Sequence, residues 1–181
     1  MSRLKYVPSP APQSDEPREL VRYLMNELQE LAVSFEKATT RASGVLYLDS
    51  VPSSPIAVGV TDQLINDYDS KTLEDEIISD IAAGTFTTEF DGEYNIHFST
   101  SVQADANNRT LTFSIYIDGA FIAPLETPIF LKTANEPLVA SIDVPVKLTK
   151  GVVIDVRVKS NIATNIVYNK LVFNVQGQLE L

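Results

Sequence analysis

A single histidine, His97, and a complete lack of cysteine set the limits on the side-chain chemistry of this 181-residue chain. Without Cys there is no disulfide framework, thiolate nucleophile or Cys-based zinc site. Any Ser-His-acid or His-metal mechanism would have to run through His97, whose strand alternation places it with Asn95 and Ser99, opposite Tyr94, Ile96 and Phe98. No nucleophile elbow, Walker loop or dinucleotide fingerprint occurs. Asp67-Tyr-Asp69 and Glu74-Asp75-Glu76 are runs of oxygen ligands, but neither has the loop glycine or the spacing of a calcium-binding hand. Asn108-Arg-Thr110 is formally a glycosylation acceptor, in a chain that reads as made without a signal peptide and soluble. The expectation is a protein that is not an enzyme and uses no metal or cofactor.

The formal charge of −10 is concentrated. Residues 1–42 and 94–181 each balance, whereas residues 49–93 hold eleven acidic residues against Lys71 alone. Such a field does not attract nucleic acid, and no stretch is long and apolar enough to span a membrane. A basic partner surface or cations would be needed to offset the charge of several assembled copies.

The elements that must position any site fall into three parts. Residues 1–14 carry Pro8, Pro10 and Pro12, which favour an extended peptide, either a free tail or a strap for a partner's groove. Residues 15–42 read as a helix, with Ser14 or Asp15 at its N-cap, Pro17 in its first turn and Ser43-Gly44 ending it. Its apolar residues Val21, Leu24, Leu28, Leu31, Phe35 and Ala38 step by 3, 4, 3, 4, 3, an a/d seam. That seam fits either self-association or a helix folded back on its own domain. Residues 45–181 read as β: Val45–Leu48, Ile56–Val60, and alternating runs around Tyr94–Val102, Leu111–Ile117, Ala140–Leu148, Val152–Val158 and Leu171–Val175. Asp91-Gly92, Asn107-Asn108, Asp118-Gly119 and Lys150-Gly151 supply the turns. The stretch 72–83 is ambiguous: Leu73, Ile77, Ile78 and Ile81 have helical spacing with Thr72 as a possible cap, and it reads equally as a loop feeding a strand. The fold class expected is an all-β antiparallel sandwich preceded by one helix and an extended peptide.

The order Gly92-Glu-Tyr94-Asn-Ile-His-Phe98, Leu111-Thr-Phe-Ser-Ile-Tyr-Ile-Asp-Gly119, Val146-Lys-Leu148-Thr-Lys-Gly151-Val-Val-Ile-Asp-Val156 and Leu171-Val-Phe173-Asn-Val resembles the tumour necrosis factor and complement globular head superfamily. Val152 after Gly151 departs from the family's usual Asp. The resemblance covers roughly residues 85–181 and implies a ten-stranded jelly roll that assembles as a homotrimer, with the helix as its trimeric stalk. Tyr6-Val-Pro8 through Pro12, Glu16-Pro17 and Leu20 to Leu28 is similar to the start of small virion proteins of tailed bacteriophages.

Together these readings lead to a virion structural protein, assembled in the host cytoplasm: a trimeric short fibre, tail-fibre adaptor or capsid decoration protein. Tyr6, Val7, Pro8, Pro10 and Pro12 would anchor it to capsid or tail, and Val21 to Ala38 would form the stalk. The alternative is a binding module for a host-surface glycan or protein, with loops 105–109 and 118–125 gathered at the trimer apex. Tyr116, Phe121 and Tyr168 are its candidate receptor contacts.

Overall fold

The computed structural model describes residues 17–39, 41–49, 53–72 and 74–179. The anchor residues Tyr6 to Pro12 and the N-cap lie outside these. The chain divides into two units, one holding the helix and the other running from Arg41 to Gln178. In the first, α1 spans Pro17–Thr39. Its Val21, Leu24, Leu28 and Leu31 side chains are 55%, 49%, 64% and 42% exposed. Phe35 and Ala38 belong to the same helix, with side chains outside the described set.

The second unit is a sandwich of two six-stranded sheets. Its strands are β1 (Arg41–Leu48), β2 (Ile56–Val58), β3 (Gln63–Leu64), β4 (Ser70–Lys71), β5 (Ile77–Asp80), β6 (Thr85–Thr88), β7 (Gly92–Ala104), β8 (Arg109–Ile117), β9 (Ala120–Leu131), β10 (Leu138–Leu148), β11 (Val153–Ser160) and β12 (Thr164–Leu179). One sheet has the order β10-β7-β12-β1-β4 with β2 on β12; the other has β5-β6-β11-β8-β9 with β3 on β11. The pairings are antiparallel, and from β6 onward the chain changes sheet at every connection except that between β8 and β9. This is an antiparallel sandwich, as the alternation predicts, and a jelly roll, as the resemblance implies, with twelve strands where it implies ten.

The inward residues are those the two-residue period selects: Tyr94, Ile96, Phe98 and Val102; Leu111, Phe113 and Ile115; Ile154, Val156 and Val158; Leu171, Phe173 and Val175, all buried. Rings join the layers, Phe86 meeting Phe173 edge-on at 4.9 Å and Phe98 meeting Phe113 at 5.5 Å.

Two elements differ from their sequence reading, and the one left open resolves as a loop feeding a strand. The helix ends at Thr39 and β1 already begins at Arg41, so Gly44 is a strand residue and not a helix terminator. Its missing side chain is a packing requirement, since a Cβ there would stand 2.6 Å from the Phe86 ring and 2.9 Å from Ile77. The ambiguous stretch 72–83 is no helix: Ile77–Asp80 pairs with β6, burying Ile77 and Ser79 and exposing Ile78. And β9, which carries Pro124 and Pro128, adds a strand that alternation did not disclose. It lies at the edge of its sheet, where a missing N–H breaks no ladder.

Candidate binding surfaces of the head

The register fixes which loops share an end. β1 starts at Arg41 opposite Gln178 of β12, and β7 starts at Gly92, where any side chain would run into the Gln178 carbonyl. This proximal end receives the chain from α1 and also holds the Asp118-Gly119 and Lys150-Gly151 turns. The opposite, distal end carries the turns 105–108, 132–137 and 161–163. Loops 105–109 and 118–125 therefore do not gather at one apex. They lie at opposite ends of β8, separated by the strand's nine residues, about 26 Å at 3.3 Å per residue.

The distal loops are laced together. Ala134 N–H donates to Asn107 Oδ1 (2.6 Å), Asn135 N–H to the Ala104 carbonyl (2.7 Å), and Thr110 and Asn161 exchange two bonds (2.9 and 3.0 Å). Asn108 and Asn135 sit at φ 55° and 61°, a left-handed conformation in which Asn is the best tolerated residue after Gly. Asp105 ties the β7–β8 turn to the start of β12. Its Oδ1 accepts from Thr164 Oγ1 (2.8 Å) and Asn165 N–H (3.1 Å), its Oδ2 from Asn165 Nδ2 (2.7 Å). The hydrogen bonds from Thr164 and Asn165 hold this carboxyl below its ordinary value.

Within this crown is an open groove of about 510 Å³ lined by Ala57, Gly59, Asp105, Ala106, Arg109 and Asn165 among others, within the size range of small-ligand sites. Arg109 shares the inward parity of Leu111 and Phe113 at the mouth of the sandwich. Its guanidinium donates to the Asn107 carbonyl (2.9 Å), and its Nε is buried with no acceptor. Among the described residues no carboxylate pairs with it.

The three predicted receptor contacts separate. Tyr116 and Phe121 come together across the β8–β9 hairpin, ring centroids 5.8 Å apart; Phe121 is exposed, whereas Tyr116 is buried at 8% exposure and, contrary to expectation, offers little surface to a receptor. The Arg157 guanidinium lies 4.0 Å over the Tyr116 ring and is fixed by two bonds to the buried Asp155 carboxylate (2.8 and 3.2 Å). Burial and the neighbouring Asp62 carboxylate push the Tyr116 phenol up. Tyr168 is a correction: at 1% exposure it is a core residue, because its position on β12 has the inward parity of Ile166 and Phe173, and it offers no surface to a receptor. Burial drives its phenol far above the usual range. Only the loop 105–109 was read at the distal groove; Arg109's buried Nε depends on turn geometry that no spacing announces.

His97 lies on the outward side of β7 with Nδ1 3.6 Å from Asp143 Oδ2, its register partner on β10. Ser99 and Asn95 are its outward neighbours, and no second histidine exists to extend the pair. Of the acidic runs, Glu74 accepts from Lys71 Nζ (3.0 Å) and from the Ser79 hydroxyl and amide, which hold its carboxyl low, whereas burial raises that of Asp67. Among the described residues no cluster of three metal-ligating side chains forms. A second groove, about 550 Å³, opens at the proximal end between Ser43, Asp75, Glu93, Asn95, Gln176 and Gln178.

No protein-family model matches the chain, and no curated protein matches it. Among solved structures it is similar to the globular domain of the zebrafish complement 1qA protein, at 14% identity and TM-score 0.51, over 74% of this chain and 94% of that one. It is also similar to the Eiger TNF of S. frugiperda, at 10% identity and TM-score 0.51, over 77% and 92%. The chain thus has the jelly-roll fold of complement and tumour necrosis factor globular domains.

Proposed function

We propose that the protein is a bacteriophage virion component, a homotrimeric short fibre or decoration protein whose residues 1–42 attach it to capsid or tail and whose head faces outward. The observation that carries this reading is the helix seam. Val21, Leu24, Leu28 and Leu31 are left open on α1, and apolar side chains at a/d spacing find their natural cover in the same seam of other copies. The fold supports the trimer, since globular heads of this architecture commonly assemble as trimers. The resemblance of the first 30 residues to small virion proteins supports the attachment. In this reading the protein assembles in the host cytoplasm, performs no catalysis, and uses neither cofactor, nucleic acid nor membrane.

The test is solution mass by light scattering, for the full chain and for a version lacking residues 1–40, a boundary that spares the buried Ala42. Three times 19.9 kDa for the full chain is expected. A monomer would sink the fibre reading.

A second reading, a host-surface binding module, is favoured by the distal crown: a pre-ordered set of loops with a groove, at the end away from the helix connection. Substitutions in the crown would then abolish host adsorption while leaving assembly intact.

A further inference from the structure

We infer that copies of the head meet through the outward face of the β10-β7-β12-β1 sheet, and that His97 makes this contact tighten in mild acid. This rests on the reading of the protein as a homotrimer and names the face and its regulation.

A chain of charge −10 is repelled by its own copies over most of its surface. One sheet face is the exception. β7 from Asn95 to Gln103, β12 from Val172 to Gln178 and β1 from Ser43 to Tyr47 belong to adjacent strands, and none of these stretches contains an Asp, Glu, Lys or Arg. Their outward residues are hydroxyls, amides, His97 and the half-buried Val45, Tyr47 and Val172. The other sheet differs: Asp155, Arg157 and Lys159 on β11 and Glu126 on β9 have outward parity. A solvated sheet face is ordinarily polar and charged, whereas the centre of a protein contact is depleted of charge. A basic partner would be drawn to the acidic residues elsewhere on the chain. A second copy of this chain is the partner that needs a face without them.

The charges that share this face lie around its rim. On the edge strand β10, Asp143 Oδ2 is 3.6 Å from His97 Nδ1, the two side chains being 61% and 36% exposed. Lys147 opposes Glu93 at the proximal end, and Lys170 of β12 lies beside Thr100, three residues along β7 from His97. From Val172 onward β12 presents no charge to His97. While the imidazole is neutral, Asp143 enters the contact without a counter-charge and loses water. A proton on His97 supplies that charge at pairing distance, so acid favours association. With one histidine and no cysteine in the sequence, a change in association between about pH 8 and about pH 6 has one side-chain address.

The experiment is a concentration series of the full chain in sedimentation equilibrium near pH 8 and near pH 6, repeated with Leu24→Glu and Leu28→Glu together so that the head's own contribution is read. Association is expected to be roughly threefold tighter per contact at the lower pH, the scale of a partly exposed ion pair. His97→Gln is expected to remove the pH response. Asp143→Asn is expected to remove it too, and to tighten association near pH 8. Ser101→Glu with Gln176→Glu, which puts two carboxylates on the outward side of β7 and β12, is expected to weaken association about tenfold at both pH values with an unchanged melting temperature. An unaltered pH response in His97→Gln, no response in the parent chain, or unchanged association in the double carboxylate variant overturns the inference. A dimer that obeys these variants refutes the trimer and keeps the face; a trimer indifferent to them does the reverse; a monomer throughout refutes both.

Discussion

Gly177 lies on the inward side of β12 beneath Tyr94, and a Cβ there would stand 2.6 Å from the ring's Cδ1. Tyr94 is buried and donates to the Phe90 carbonyl (3.0 Å), so it has no free direction to move. Gly177→Ala is expected to destabilise the head by about 1–3 kcal/mol, the usual effect of overpacking, read by urea unfolding. Two carboxylates make a sharper residue-scale test because their pKa directions are opposite. Asp105 is held low, so its contribution is present above the unfolded value near 3.9 and disappears as pH falls through the lower folded value. Asp67 is raised by burial, so its neutral form is the favoured one; stability is greatest below about pH 3.9 and declines as pH rises through the folded value. Asp105→Ala should therefore lower the melting temperature at pH 7 with a deficit that shrinks in acid. Asp67→Asn should raise it at pH 7 and make no difference near pH 3. The same sign for both in a pair of melting curves would contradict the assigned causes. Arg157→Ala would strand the buried Asp155 carboxylate. The loss expected lies toward the lower end of the about 3–5 kcal/mol typical of a broken buried pair, since the Arg157 side chain retains some solvent access.

Among the elements, the long strands are legible because one face is buried along their length: every second residue of β7 from Gly92 to Ala104 is buried, and its sequence alternates in step. The short pieces were not. β3 and β4 are two residues each and exist through their neighbours' hydrogen bonds, with no period of their own. Leu73 to Ile81 satisfied a helical spacing by coincidence, since Ile77 and Ser79 turn inward and Ile78 outward as a strand requires. Gly44 read as punctuation because the pressure from Phe86, 42 residues away in sequence, is invisible locally. Of the site, the loop 105–109 could be named from its turn residues, while burial of Tyr168 could not be told from exposure of Phe121 by residue type. For the helix, Leu24→Glu with Leu28→Glu would place charges on the seam without touching a buried contact. In sedimentation or light scattering this variant is expected to shed whatever association α1 provides, while circular dichroism of the β head stays unchanged.

At the scale of the whole molecule, the charge is the dominant fact. Three copies would bring about thirty negative charges within a few tens of ångströms, several Debye lengths at 0.15 M salt but barely one at 0.01 M. The assembly is therefore expected to loosen on dilution into low salt and to tighten with added salt, the reverse of an interface held by opposite charges, and concentration-dependent light scattering at the two ionic strengths reads the difference.

The pairing of Arg41 with Gln178 has a practical consequence for anyone using this head as a display scaffold. A protein fused after β12 would emerge beside the chain that enters β1 and crowd that end of the head. A peptide inserted between Asn107 and Asn108, by contrast, would be carried on a turn that two strands and a neighbouring loop already brace, at the opposite end of the strands.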